Sequence, residues 1–240
     1  MKICKLLFVS VPSILCAGTW INYYKRRKEH VSKVLVYRRL KRIVKILSRQ
    51  QNIEYQIEGK EKLTVEESYL LVPNHLSLID PLPFFMLFDD PVSFICKKEI
   101  AKMPILNDCV DLLRGYYLDR GNLRAEMTTM RAAQKDMLEH NIKLVIFPEG
   151  TRSKTGDDLV MNEFKPGAFK HTMNIGKKIY PVCLLGTNEI LNPKIKKKKY
   201  VIKVRILDPI TKEMYQNMTT QEVASLVQSR IKENLILMKQ

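Results

Sequence analysis

From residue 53 to the C-terminus, short apolar runs alternate with longer stretches of helical spacing, and this alternation limits the fold more than any other feature. Strands are expected at 53–58, 69–72, 92–96, 116–118, 143–147, 179–185 and 200–207. Helices are expected at about 79–88, 122–139, 167–175 and 219–238. Two of the helices carry terminal signals. Thr219 is followed three residues later by Glu222, a capping-box pattern. Helix 167–175 has Pro166 at its start and Gly176 just past its end. Alternation of this kind predicts an α/β domain with a largely parallel central sheet flanked by helices. The 240 residues, 45% of them hydrophobic, suffice for one such core. No internal repeat is visible.

The formal net charge is +16, and it is local. Residues 25–50 hold 11 Lys and Arg against one Glu, and residues 194–205 hold seven with no acid. The rest of the chain is close to neutral, so two segments are marked for contact with an anionic surface. No helix-turn-helix, zinc-finger or aromatic RNA-binding pattern accompanies the charge, and nucleic acid is not expected as a partner.

Residues 6–24, "LLFVSVPSILCAGTWINYY", carry no charge. At about 1.5 Å per residue a helix of this length matches the hydrocarbon core of a bilayer. Pro12 and Asn22 leave open a helix that dips into one leaflet. Trp20, Tyr23 and Tyr24 cluster where interfacial aromatics belong, and "KRRK" follows at 25–28. A cleaved signal peptide would carry its basic flank before the apolar run rather than after it. The stronger basic flank on the C-terminal side keeps the bulk of the chain cytoplasmic by the positive-inside rule. Val36, Leu40, Ile43, Val44 and Leu47 then form one helical stripe, with Arg38, Lys41, Arg42, Lys45 and Arg49 opposite. A solvated surface helix would look the same, but next to an apolar anchor the pattern predicts an interfacial helix on anionic lipid. The expected organisation is a membrane-associated segment over 1–50 and an α/β domain over 51–240. The lysine tract 196–199 reads as a solvated loop or a second lipid contact. The five scattered cysteines form no CxxC pair, which argues against a disulfide framework or zinc site and fits a reducing compartment.

Three polar stretches fall at predicted strand ends, where α/β sheets place their sites. The first, "PNHLSLIDP" at 73–81, puts His75 after a strand and Asp80 five residues on. If Asn74 or Ser77 opens the following helix, the turn brings the two together. An Asp on one imidazole nitrogen fixes the tautomer and leaves the other as a base. The second, "FPEGTRS" at 147–153, offers the backbone of a Gly150 turn and the donor fork of Arg152 to a phosphate or carboxylate. "FKPGAF" at 164–169 adds Lys165 and a helix start nearby. The third, "GYYLDRGN" at 115–122, ends in Asp119-Arg120. Each alone also reads as an ordinary turn with a surface cation.

In combination they resemble the glycerolipid acyltransferases. "NHLSLID" matches the NHxSxxD box, "YYLDR" resembles the second block, "FPEGTRS" the third and "IYPVCLLGT", 179–187, the fourth. "CKKEIAKMPIL", 96–106, resembles the Lys-bearing stretch between the first two. The blocks stand in family order over about 55–190, and the sequence looks like the 1-acyl-sn-glycerol-3-phosphate (lysophosphatidic acid) acyltransferase family. Tyr116 and Tyr117 depart from the usual aliphatic or Phe positions. The resemblance implies direct acyl transfer from a thioester to the sn-2 hydroxyl of lysophosphatidate, with His75 as general base and Asp80 orienting it. It implies an acceptor-phosphate site shaped by Arg120, Glu149, Gly150, Thr151 and Arg152, with Glu149 positioning an arginine or a hydroxyl, and a further substrate contact at Lys98. It implies no metal and no cofactor, acyl carrier protein or coenzyme A thioester as donor, and membrane lipids as surroundings, with the active site on the cytoplasmic face. Glycerol-3-phosphate or another lysophospholipid is the alternative acceptor. A hydrolase, or a non-catalytic lipid-surface module on the same fold, is the alternative class.

Overall fold

The computed structural model describes residues 18–27, 32–64, 66–153, 155 and 157–240. Most of the uncharged N-terminal run, 6–17, and its proposed membrane insertion lie outside the described residues. Seven strands form one sheet: β1 (Ile53–Glu58), β2 (Tyr69–Pro73), β3 (Val92–Lys97), β4 (Tyr116–Leu118), β5 (Lys143–Ile146), β6 (Lys178–Leu185) and β7 (Tyr200–Ile206), in the order β1-β7-β6-β2-β5-β3-β4. β6, β2, β5, β3 and β4 are parallel. β7 runs against β6, and β1 runs with β7, so one edge pair is reversed. The expected α/β architecture is borne out, and every expected strand is present within a residue at either end.

Residues 18–26 form α1. The other helices are α2 (Lys33–Gln50), α3 (Leu82–Leu87), α4 (Pro104–Leu112), α5 (Leu123–Glu139), α6 (Gly167–Asn174), α7 (Thr187–Ile190), α8 (Lys212–Tyr215) and α9 (Thr220–Lys239). They cover both faces of the sheet. Tyr69 and Leu71 of β2 pack with α1 to α4, while Leu70 and Val72 pack with α5, α6 and α9. That is why β2 is apolar without interruption, as a strand buried on both faces must be. β7 lies nearer the edge and alternates: Tyr200, Ile202, Val204 and Ile206 are buried, while Val201, Lys203 and Arg205 between them are not.

Two helix boundaries follow from their caps. The Asn122 side chain accepts the Ala125 N–H at 3.1 Å and starts α5. At α9 the Thr219 hydroxyl accepts the Glu222 N–H while Glu222 accepts the Thr219 N–H, the reciprocal cap expected from sequence. The expected helix 79–88 shrinks to α3, because residues 74–81 are spent on a turn. Of the helices not foreseen, α7 and α8 span a single turn each, and α4 starts at Pro104 and is too short to show periodicity.

The reading of α2 as a helix lying in lipid needs correction. Its apolar stripe is turned inward: Val36, Tyr37, Leu40 and Val44 are buried in the core shared with α3 and the sheet. The Tyr37 ring stacks on Phe85 at 5.3 Å and its hydroxyl donates to the Phe84 carbonyl at 3.2 Å. Ile21 and Tyr24 of α1 enter the same core. Arg38, Arg42, Lys45 and Arg49 remain exposed. Among the described residues no helix is long and apolar enough to cross a membrane.

Candidate active site

The five parallel strands end at one edge, and the loops that leave β2, β3, β4, β5 and β6 carry His75, Lys98, Arg120, Glu149 and Thr187 there. β2 and β5 are hydrogen-bonded neighbours, so the turn after β2 and the 147–153 loop after β5 emerge side by side.

The turn after β2 is organised by Asp80. Its Oδ2 accepts His75 Nδ1 at 2.7 Å, the Leu76 N–H at 2.7 Å and the Ser77 N–H at 2.8 Å. Its Oδ1 accepts the Thr187 hydroxyl at 2.5 Å. Neither Asn74 nor Ser77 opens the following helix, whose first flanking residue is Pro81 with no side-chain cap. The cap function is inverted, with the acid at the end of the turn gathering the amides at its start. Asn74 is instead fully buried and binds β6 both ways, its Nδ2 donating to the Leu184 carbonyl at 3.0 Å and its Oδ1 accepting the Leu184 N–H at 2.7 Å. Asp80 is fully buried, whereas the His75 side chain keeps 20% of its surface exposed. A carboxylate only accepts, so Nδ1 carries the proton, and in the neutral imidazole the lone pair is on Nε2.

The 147–153 loop wraps His75 on three sides. The Phe147 ring lies 4.4 Å from the imidazole, centroid to centroid. Glu149 Oε1 accepts the His75 backbone N–H at 2.6 Å, and the Ser153 N–H donates to the His75 carbonyl at 3.0 Å. Glu149 Oε2 is held by the Asn162 N–H at 2.8 Å and Asn162 Nδ2 at 3.0 Å. Burial raises the Glu149 carboxyl above its ordinary value, against the pull of these donors and of His75. The expectation that Glu149 positions an arginine or a hydroxyl is therefore corrected. It holds the main chain of His75.

Arg120, leaving β4, reaches across to the Gly150 carbonyl. Gly150 has φ +70°, and a Cβ there would run into the Arg120 guanidinium, so both the turn and the arginine require glycine. Burial pulls the guanidinium below its ordinary value, opposed by Glu126 and Glu99. Thr151 and Arg152 are exposed beyond this contact, and the Thr151 carbonyl accepts Asn162 Nδ2 at 3.1 Å. Lys98 lies on the same edge, where its ammonium pairs with Asp119 at 2.8 Å, one residue before Arg120. Phe147, Asn162 and Thr187 were not singled out from sequence, and Asn74 only as a candidate helix opener. Thr187 had a signal, since it closes the fourth block and follows a strand and a glycine. Asn162 had none, since it lies deep in a loop. Among the described residues no cluster of three or more His, Cys, Asp or Glu side chains is placed to hold a metal ion.

The sequence profile of the acyltransferases matches residues 54–185, more than half of the chain, and takes in His75, Lys98, Arg120 and Glu149. The chain belongs to the acyltransferase family. Its relatives include a 1-acyl-sn-glycerol-3-phosphate acyltransferase of Saccharomyces cerevisiae, 28% identical over 229 residues, covering 94% of this chain and 70% of that one. Proteins of the same name from Borreliella burgdorferi and Cocos nucifera are 30% and 33% identical, over 57% and 55% of this chain. These alignments span 53% and 41% of those relatives' own lengths. In fold, this acyltransferase is similar to the crystal structure of the 1-acyl-sn-glycerophosphate (LPA) acyltransferase PlsC from Thermotoga maritima. The TM-score is 0.77 at 20% identity, covering 100% of this chain and 98% of that one.

Proposed function

We propose that this chain transfers a fatty acyl group from a thioester to the sn-2 hydroxyl of 1-acyl-sn-glycerol-3-phosphate, giving phosphatidic acid for phospholipid biosynthesis. The observation that carries the reading is the His75 Nδ1 to Asp80 Oδ2 hydrogen bond of 2.7 Å at the open end of the sheet, beside the Arg120–Gly150 loop. His75 Nε2 takes the hydroxyl proton as the acceptor oxygen attacks the thioester carbonyl. The tetrahedral adduct then collapses to the ester, and the departing thiolate takes the proton back from the imidazolium. Asp80, charged and buried, stabilises the imidazolium between the two steps. No seryl nucleophile is involved, because the acceptor hydroxyl is itself the nucleophile. No metal or cofactor enters this scheme.

Arg120 and Arg152, with the Gly150-Thr151 backbone, are suited to an acceptor phosphate, and Lys98 adds charge at the rim. Acyl carrier protein and coenzyme A thioesters both meet the chemistry required of the donor. Acceptor and product each bear long apolar chains, so we place the enzyme at the membrane with this edge of the sheet toward the cytoplasmic leaflet. A non-catalytic lipid-surface module would need the phosphate contacts but not a braced imidazole.

Purified protein is to be assayed with one acyl donor against a panel of acceptors, alongside His75→Ala. Lysophosphatidate is expected as the preferred acceptor, with a loss of about 10²–10⁴-fold in the variant. Wild-type turnover by His75→Ala sinks the base assignment. A preference for glycerol-3-phosphate or another lysophospholipid replaces the acceptor. Fatty acid release without any acceptor makes the chain a hydrolase.

A further inference from the structure

The Asp80 carboxylate has two oxygens, and the scheme above uses one. Oδ2 serves His75 and two backbone amides, while Oδ1 has one donor in the structure, the Thr187 hydroxyl at 2.5 Å. Asp80 and Thr187 are both fully buried. Thr187 opens α7, and the residue before it, Gly186, has φ +86° and packs so tightly on the Val201 carbonyl that no Cβ fits. That turn sends the chain back over the sheet edge and aims Oγ1 at Asp80 across 107 residues of sequence. A single turn of helix needs no buried threonine for its own sake, and the hydroxyl makes no helix cap here.

We propose that Thr187 is a positioning residue for the His75–Asp80 pair: its hydroxyl fixes the second carboxylate oxygen and lowers the affinity of the pair for a proton. The proposal rests on the reading of His75 as the base. A donor on Oδ1 draws off part of the carboxylate charge that would otherwise be directed at the imidazole. Removing it leaves a buried oxygen with no partner, and the cheapest compensation is to keep a proton on the pair, whether on Asp80 or on His75. The sign is the same in either case: without the hydroxyl the pair loses its proton at higher pH. The titratable groups tied to the residues around the pair are Glu149, which accepts the His75 main-chain N–H, and Asp158, which accepts from Asn188, the residue after Thr187.

The test compares wild type, Thr187→Val and Thr187→Ser by the pH dependence of kcat/KM. The valine variant is isosteric and is expected to move the acidic limb up by about one pH unit, the scale of one hydrogen bond to a charged group. Below the limb that is a loss of about tenfold, recovered largely at higher pH. Thr187→Ser is expected to keep the wild-type limb. A purely structural threonine lowers kcat/KM by the same factor at every pH, and that outcome, or a serine variant shifted like valine, overturns the proposal. Should the valine variant not fold, Thr187→Cys, with its weak thiol donor, takes its place. Titration of [15N]histidine-labelled protein, with His75 assigned by its absence in His75→Ala, follows the same proton without substrate. An unmoved imidazole titration in the variant therefore overturns the role of Thr187 even if the acceptor has been misassigned, and a failed acyl-transfer assay leaves this measurement standing.

Discussion

His75, the proposed base, is held mainly by its backbone. Glu149 and Ser153 take the N–H and C=O of His75, and Asp80 takes the ring. Glu149 is a costly contact, since a buried carboxylate is tolerated only when its oxygens are satisfied. Burial raises its carboxyl above the ordinary 4.5, so the folded state binds that proton more tightly than the unfolded chain does. The stability it contributes is therefore full below about pH 4.5 and falls as pH rises through the raised value. Glu149→Gln has no such fall. By urea unfolding, the stability of wild type minus that of the variant is expected to be larger at about pH 4 than at about pH 7. An equal difference at both would mean that the charge is not penalised by burial. Gly150→Ala tests the neighbouring turn. The methyl group forces a left-handed backbone to carry a Cβ, at about 1 kcal/mol, and pushes Arg120 off the Gly150 carbonyl. KM for the phosphate-bearing acceptor is expected to rise more than kcat falls. The reverse pattern would show that Arg120 does not serve the acceptor.

Two elements are tied at the site by one side chain. Asn74 closes the end of β2 onto β6 through both atoms of its amide. Asn74→Ala strands the Leu184 N–H and carbonyl in the core, at roughly 2–6 kcal/mol if each costs about 1–3, and lets the residue before His75 drift. Stability and activity are expected to fall together. Thr219→Ala is the contrast: it removes the cap of α9, at about 1 kcal/mol and about 2–4 °C in Tm, and activity is expected to stay. Loss of activity from the cap variant would tie the site to α9. The cap of α9 was legible in sequence because its two partners lie three residues apart. The pairing of His75 with Asp80 was legible for the same reason, being confined to one turn. Asn74 to Leu184, Asp80 to Thr187 and Glu149 to Asn162 were not, since side-chain type says nothing about which distant strand end a group will face. Even within the short turn the direction of capping was not legible, because Asn74, Ser77 and Asp80 are all competent caps and only the fold selects one.

At the scale of the molecule, the basic N-terminal helix has one buried apolar face and one exposed basic face. Periodicity alone located the apolar stripe of α2 but could not tell burial in protein from burial in lipid, since either takes the same residues. The structure assigns that stripe to the core, with Val36, Tyr37, Leu40 and Val44 buried. This changes how membrane binding has to be tested. Deleting residues 1–50 would strip six buried hydrophobic side chains among the described residues, Ile21 and Tyr24 with these four, at about 1.5–3 kcal/mol for each aliphatic one, from a domain whose net stability is typically about 5–15 kcal/mol. Aggregation would then be mistaken for a change in membrane affinity. The outer face offers a cleaner probe. Arg42, Lys45 and Arg49 are exposed along it. Asn52, just past the helix, bonds to the Lys198 carbonyl and so brings the exposed Lys194, Lys196 and Lys198 to the same end of the molecule. If this surface faces an anionic leaflet, each charge near it is worth about 1 kcal/mol. Reversing all three helix positions to Glu should weaken binding to phosphatidylglycerol vesicles by at least about 100-fold. The wild-type affinity should fall with added salt while the melting temperature of the variant stays put, because no buried contact has been touched. Co-sedimentation that survives the triple reversal at low salt would place the attachment on another part of the chain.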